Sequence, residues 1–325
     1  MTEPLFDDRP SPESIVAEAI ADEGPVVRTY CLLSGGSDSV VLAHRCRDLY
    51  HELVHIDTGT ALPGVREHAE RTAVDLGKRL RVLENGVEAF RRLVLGDEAW
   101  WRRYRACREL EPGLTIADSI RREARTRRPG DGLGNSPQGF PGPAGGHRAA
   151  YSRLKERQIE RLVRETKAEL APGDRFARVA LLSGARIGES ARRRRTQAGG
   201  NWRRRKAQLW INPLNLWTNA EMRAYRRDHD IQLSDVAALL HRSGECNCGA
   251  YVGRDERDDL LALFPDWYEQ VIAPLEAEAA ALGIPRCRWG ERADSGRVGA
   301  RGVPARDDLP MCADCQLRLE ATQEA

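Results

Sequence analysis

No apolar run in the 325-residue chain is longer than a β-strand, so nothing in it reads as a membrane-spanning helix. Aromatic residues make up only 6%, yet 41% hydrophobic and 31% charged residues are an ordinary globular balance that excludes a disordered chain. Neither sign of charge dominates, with 51 basic against 49 acidic residues. The opening stretch MTEPLFDDRPSPESIVAEA is acidic and lacks an apolar segment, so no signal peptide is expected. The protein is expected to be soluble and cytoplasmic, where its eight cysteines would not form disulfides. Two familiar phosphate-binding signatures are missing: the Walker Gly-Lys-Ser/Thr and the dinucleotide G-x-G-x-x-G. No internal repeat is evident.

What is present is an alternation of strands and helices. VVRTYCLLS (26–34), ELVHIDTG (52–59), LRVLEN (80–85), RVALLSG (178–184) and QLWINPL (208–214) read as strands. Helical runs lie between and around them, at 12–23, 38–49, 65–80, 151–170 and 219–230, the last capped by Thr218 or Asn219. This predicts an α/β fold: a doubly wound, mostly parallel five-stranded sheet with right-handed crossovers. From His241 the texture changes to short elements broken by Cys, Gly and Pro. A phosphate-loop α/β domain over 1–240 and a small Cys-rich subdomain over 241–325 are therefore expected. The glycine- and proline-dense run at 129–147 is expected to be a flexible loop, a lid or a linker, with nothing that packs.

Arginines cluster in IRREARTRR (120–128), ARRRR (191–195) and NWRRRKAQLW (201–210). Two readings stand: solvated helix faces, or a surface gripping nucleic-acid phosphates, with Trp202 and Trp210 placed to stack on a base.

The most informative segment is Ser34-Gly35-Gly36-Ser37-Asp38-Ser39, between a strand and a helix. Two glycines let backbone turn sharply and approach an anion, the amides at a helix N-terminus point at it, and the hydroxyls add donors. A second pattern is made of thiols. Cys246 and Cys248 form a C-x-C, and Cys312 and Cys315 a C-x-x-C, each beside turn-forming residues. Two such pairs can converge as four thiolates on zinc or on a [4Fe–4S] cluster. Cys107, in RRYRACREL, could have a lowered pKa, whereas Cys31 and Cys46 suit packing.

SGGSDS resembles the PP-loop of the adenine nucleotide α-hydrolase-like superfamily, which includes ATP pyrophosphatases and phosphoadenosine phosphosulfate reductases. Four further segments are similar to that family in the same order: HIDTGTALPG (55–64), Leu154-Lys155, SGARIGESARRR (183–194) and NPLNLWTNAEMRAYRRDHDI (212–231). The resemblance spans about residues 26–235. It implies that Ser34, Gly35, Gly36, Ser37, Asp38 and Ser39 hold the phosphates of ATP with Mg2+, or the terminal anion of a sulfonucleotide. It implies that Asp57, Thr58 and Gly59 sit near the adenosine, that Lys155 and Arg186 face the phosphates, and that Glu189 orients Arg186. RSGECNCGAY and CRWGE (287–291) resemble iron–sulfur members, which favours [4Fe–4S] over zinc, with Cys287 spare.

The pattern also departs from the family. The Glu-Cys-Gly-x-His element that carries the reductase nucleophile is missing, as is the cysteine usually found before Leu-Lys, where Ala149, Ala150, Tyr151 and Ser152 stand. The combination most resembles the ATP pyrophosphatases of DNA phosphorothioation, which implies DNA and a cysteine desulfurase as partners. A sulfonucleotide reductase using Cys107 or Cys287, a tRNA thiolation enzyme, and a nucleotide-sensing module are the alternatives.

Overall fold

Ser11 opens the first helix, α1 (Pro12–Glu23): its side chain accepts the amide of Ser14, and Pro12 sits in the first turn, where a missing N–H is tolerated. The computed structural model describes residues 9–84, 86–126, 134–141, 150–189, 193–194, 199–250 and 254–290. Strand β1 (Val26–Leu32) follows α1, then α2 (Ser37–Arg45), β2 (Glu52–Asp57), α3 (Val65–Asp75) and β3 (Leu80–Glu84). Three helices come next: α4 (Gly86–Leu95), α5 (Glu98–Leu110) and α6 (Ile116–Thr126). A π-turn at Ser152–Glu156 leads into α7 (Arg157–Leu170), then β4 (Arg178–Leu182), β5 (Trp202–Arg205) and β6 (Gln208–Ile211). Helices α8 (Asn219–Asp228), α9 (Asp235–Leu240), α10 (Arg254–Leu263) and α11 (Ala273–Ala281) complete the described chain, with a second π-turn at Tyr268–Ile272.

The strands form one sheet in the order β3-β2-β1-β4-β6-β5. All neighbours are parallel except β5 and β6. Successive side chains of a strand point to opposite faces, and here both faces are covered. Cys31, Leu53, Ala180 and Leu182 pack with α1, α2 and α3, while Tyr30, Val54, Leu181 and Val179 pack with Ile159, Leu162 and Val163 of α7. This two-sided burial is why the central strands read as unbroken apolar runs. The α/β, mostly parallel expectation holds, with six strands rather than five. The added strand, β5, carries Arg203, Arg204 and Arg205, all exposed. It turns back from β6 through Lys206, whose φ is 56°. Charged side chains on such an edge discourage pairing with another chain.

A third core lies beside the sheet. Leu62, Val65, Phe90, Leu93 and Leu154 share it with Val236, Cys248, Trp267, Leu275 and Trp289. The expectation that nothing between 129 and 147 packs is corrected here for residues 134–141. Gln138 and Gly139 donate their amides to Leu93 and Val94 at 3.1 and 3.0 Å, and Phe140, 1% exposed, donates to Arg286 O at 2.9 Å. A Cβ on Gly139 would lie 2.1 Å from the Pro285 carbonyl oxygen, so only glycine admits that approach. The remainder of that run lies outside the described residues.

Candidate functional site

Strand β1 connects to β2 on one side of the sheet, and β4 continues to β6 on the other. Between β1 and β4 the winding therefore reverses, and in open α/β sheets the crevice beyond such a reversal is where ligands bind. Residues 34–39 fill its rim. Gly35 takes φ 78°, and Ser39 ties the loop to itself. The Ser39 hydroxyl donates to Gly36 O at 2.9 Å and accepts the Ser34 amide and hydroxyl at 3.2 and 3.1 Å. Its oxygen is thus committed to shaping the loop. The amides of Gly35, Gly36, Ser37 and Asp38 find no acceptor among the described residues, and no side chain caps α2. Four amides without a protein acceptor at a helix N-terminus form a cradle suited to a phosphate.

Asp38 does not point into that cradle as a free carboxylate. Both its oxygens accept from Arg186, Nε to Oδ2 at 2.9 Å and one terminal nitrogen to Oδ1 at 3.0 Å. Arg186 is 4% exposed and also donates to Trp217 O at 2.9 Å and to Asn219 Oδ1 at 3.0 Å. Here the donors of Arg186 go to protein oxygens. One guanidinium fastens α2, the turn after β4 and the start of α8 together. Glu189 does not orient it; the Glu189 carboxylate meets Arg193 Nε at 3.1 Å, and Asp38 takes the orienting role. Thr218, not Asn219, caps α8, in a capping box with Glu221.

The other wall is built differently. Asp57 accepts the Gly59 amide at 2.8 Å, closing a tight turn. A Cβ on Gly59 would lie 2.4 Å from the Gly86 carbonyl, so only glycine admits that backbone approach. Thr58 is fully buried and donates its hydroxyl to Glu245 O at 2.7 Å. Asn247 donates its amide to Thr60 Oγ1 at 3.1 Å, and its side chain reaches Thr60 O and Gly244 O at 3.0 and 2.8 Å. The Leu62 amide donates to Gly244 O at 3.0 Å. The Cys246–Cys248 segment is thereby pinned to the turn after β2. Ser243, just before it, lies 3.0 Å from where a Gly36 Cβ would stand. The absent side chain of Gly36 thus makes room for Ser243.

Lys155 is presented by the π-turn, an irregularity found often at functional sites. Its Nζ meets Glu245 Oε2 at 2.5 Å. Burial opposes its charge, but the Glu245 carboxylate and Cys246 outweigh that and raise its pKa. A hydrogen bond from Cys248 lowers the Cys246 thiol, burial opposes, and Lys155 assists; the donor Cys248 is raised. A buried thiol, Cys248, in contact with a half-buried one, Cys246, which is disposed to ionise, fits half of a four-thiolate centre. Cys312 and Cys315 lie outside the described residues. No third His, Cys, Asp or Glu joins Cys246 and Cys248 among the described residues. Thr60, Ser243, Glu245 and Asn247 went unread in the sequence, because short polar residues in turns carry no periodic signal.

Among the described residues, most arginines of the three clusters are paired. Arg121, Arg122, Arg193, Arg204 and Arg205 pair with Asp118, Glu111, Glu189, Glu23 and Glu156. Arg125, Arg194 and Arg203 form no ion pair among the described residues. No helix among the described residues is long and apolar enough to cross a membrane.

The fold and this loop define an open α/β protein with an anion cradle at the reversal of its sheet. The chain belongs to the phosphoadenosine phosphosulfate reductase domain family, whose profile matches residues 28–239. Among curated proteins none matches the chain. Solved structures similar to it include phosphoadenylyl-sulfate (PAPS) reductase from Candida auris in a phosphate complex, 15% identical, with a TM-score of 0.39, covering 74% of this chain and 94% of that one. Another is the U34-tRNA thiolase NcsA from Methanococcus maripaludis with its [4Fe-4S] cluster, 13% identical, with a TM-score of 0.33, covering 88% and 85%.

Proposed function

We propose that the chain is an ATP pyrophosphatase that activates a nucleic-acid phosphate for sulfur insertion, as in DNA phosphorothioation. The observation that carries this reading is the attachment of the Cys246–Cys248 segment to the wall of the phosphate cradle through Thr58, Thr60, Leu62 and Gly36. A sulfur-handling pair and an anion cradle within one hydrogen-bonded unit suit a reaction that joins phosphate activation to sulfur delivery. An acceptor oxygen attacks the α-phosphorus of ATP, and pyrophosphate leaves toward the four loop amides and Lys155; Mg2+, when bound, would offset the charge that develops on it. A persulfide from a cysteine desulfurase then attacks the acceptor phosphorus and expels AMP. A second thiol cleaves the new S–S bond, forming a disulfide and leaving the phosphorothioate. Cys246, Cys248, Cys312 and Cys315 would hold a [4Fe–4S] cluster, which when bound would supply a site for sulfur. Among the described arginines of the clusters, Arg125, Arg194 and Arg203 are available to meet a DNA backbone.

The test is product analysis with ATP, Mg2+, duplex DNA, a cysteine desulfurase and cysteine. AMP and pyrophosphate are expected, without ADP, along with nuclease-resistant sulfur in the DNA. The family membership also supports a sulfonucleotide reductase. Release of sulfite from a sulfonucleotide and a thiol, with no pyrophosphate from ATP, would establish that reading instead.

A further inference from the structure

The ion pair between Lys155 and Glu245 is costly where it sits. The Glu245 side chain is 6% exposed and that of Lys155 is 21% exposed. Two charges so far from water are often no more stabilising than a hydrophobic pair of the same volume. Packing alone therefore gives little reason for a lysine and a glutamate here. The pair also joins two structurally unusual places. Lys155 rides on the π-turn that opens α7. Glu245 lies two residues from Ser243, which packs on Gly36 of the cradle. The stretch between them cannot slide: a Cβ on Gly244 would come within 2.4 Å of Val236, and both the Gly244 and Glu245 carbonyls are held. Glu245 is thus a fixed carboxylate beside the cradle, whereas Lys155 is a long cation on an irregular turn.

Resting on the ATP-binding reading above, we infer that Glu245 is an intramolecular stand-in for nucleotide phosphate, holding Lys155 until a polyphosphate takes the ammonium from it. With the cradle empty, the carboxylate keeps the buried ammonium paired. A bound polyphosphate brings more negative charge to the same neighbourhood, aligned by the four loop amides. Lys155 then changes partner. The carboxylate left behind adjoins Cys246, so occupancy of the cradle is felt at the first residue of the thiol pair. Glu245 is in this sense a positioning residue: it touches no substrate, and it tunes how much binding energy Lys155 has left to give.

Exchange has a sign that a static brace lacks. Removing the competitor should tighten nucleotide binding, because Lys155 no longer leaves a partner behind. Titration calorimetry on the full-length protein, with ATP and Mg2+ as the probe, should show Glu245→Gln binding about tenfold more tightly than the unaltered chain. Lys155→Met should bind more weakly. In the Lys155→Met background, Glu245→Gln should change ATP affinity by less than about twofold, since Glu245 acts on ATP only through Lys155. Thermal melts of all four proteins establish that each is folded. ATP affinity that is unchanged or weakened by Glu245→Gln in a folded protein would overturn the inference, as would the same tightening with Lys155 absent. If the unaltered chain binds a sulfonucleotide and not ATP, the substrate reading fails, and the same four-protein cycle is then read with that nucleotide.

Discussion

The two walls of the phosphate cradle are held by opposite means. On the α8 side a single buried guanidinium, Arg186, is bonded by Asp38, Trp217 and Asn219. On the α3 side a lattice of neutral groups, Thr58, Thr60, Asn247 and the Leu62 amide, ties the thiol segment down. A charge inside a protein is an all-or-none device, because losing its partner strands it. Neutral bonds fail one at a time. The first wall should therefore be brittle, and the second should yield by degrees.

The largest effect is expected from Asp38→Asn. It leaves Arg186 in place without its counter-charge, which should cost about 3–5 kcal/mol of stability in urea unfolding, along with nucleotide binding. A loss under about 1 kcal/mol would show that Asp38 is not what keeps Arg186 buried. A smaller change should follow Thr58→Val, which preserves shape and leaves the Glu245 carbonyl unbonded. About 1–2 kcal/mol is expected, with the thiol segment loosened while the fold persists. Equal losses from the two substitutions would erase the contrast between the walls.

The smallest effect tests a charge near the surface, which should be weak where the buried one is strong. Glu221 is held down at about 2, first by its hydrogen bond from Arg9, with burial opposing and the Thr218 cap assisting. A carboxylate lowered in the folded state contributes above its unfolded value near 4.5 and loses that contribution as pH falls toward 2. The Glu221 side chain is 36% exposed, so solvent screening limits the effect to about 0.5 kcal/mol. Glu221→Gln should flatten the acid limb of stability by that amount; an unaltered limb would assign it to other carboxylates.

Legibility in the sequence followed the distance over which each feature is determined. Strand β1, its loop and α2 were readable because 26–45 carry their own signals: an apolar run, two glycines and a helical spacing. Strands β2 and β4 were readable because burial on both faces leaves no polar alternation to misread. The start of α8 was readable to within one residue, at Thr218 or Asn219, and its bonds settle on Thr218. Strand β5 was hidden because an edge strand can be almost wholly charged when its side chains face water. The order of residues 134–141 comes from Leu93, Val94 and Arg286, none of them nearby in sequence. Asp38 finds Arg186 across 148 positions, and Thr58 finds Glu245 across 187. The resemblance to a family pointed to Arg186 and Lys155 as important; only geometry revealed their partners.

The third core has a consequence for heredity. Val65, Phe90 and Leu154 from the sheet half share it with Cys248, Trp267 and Trp289 from the later part of the chain. A gene fragment stopping before residue 241 would leave that apolar surface wet and the hydroxyls of Thr58 and Thr60 without Glu245 and Asn247. The cysteine-bearing segment is therefore a poor candidate for shuffling between genes as a cassette. Descendants of this chain should inherit the cradle and the first thiol pair together, or lose them together.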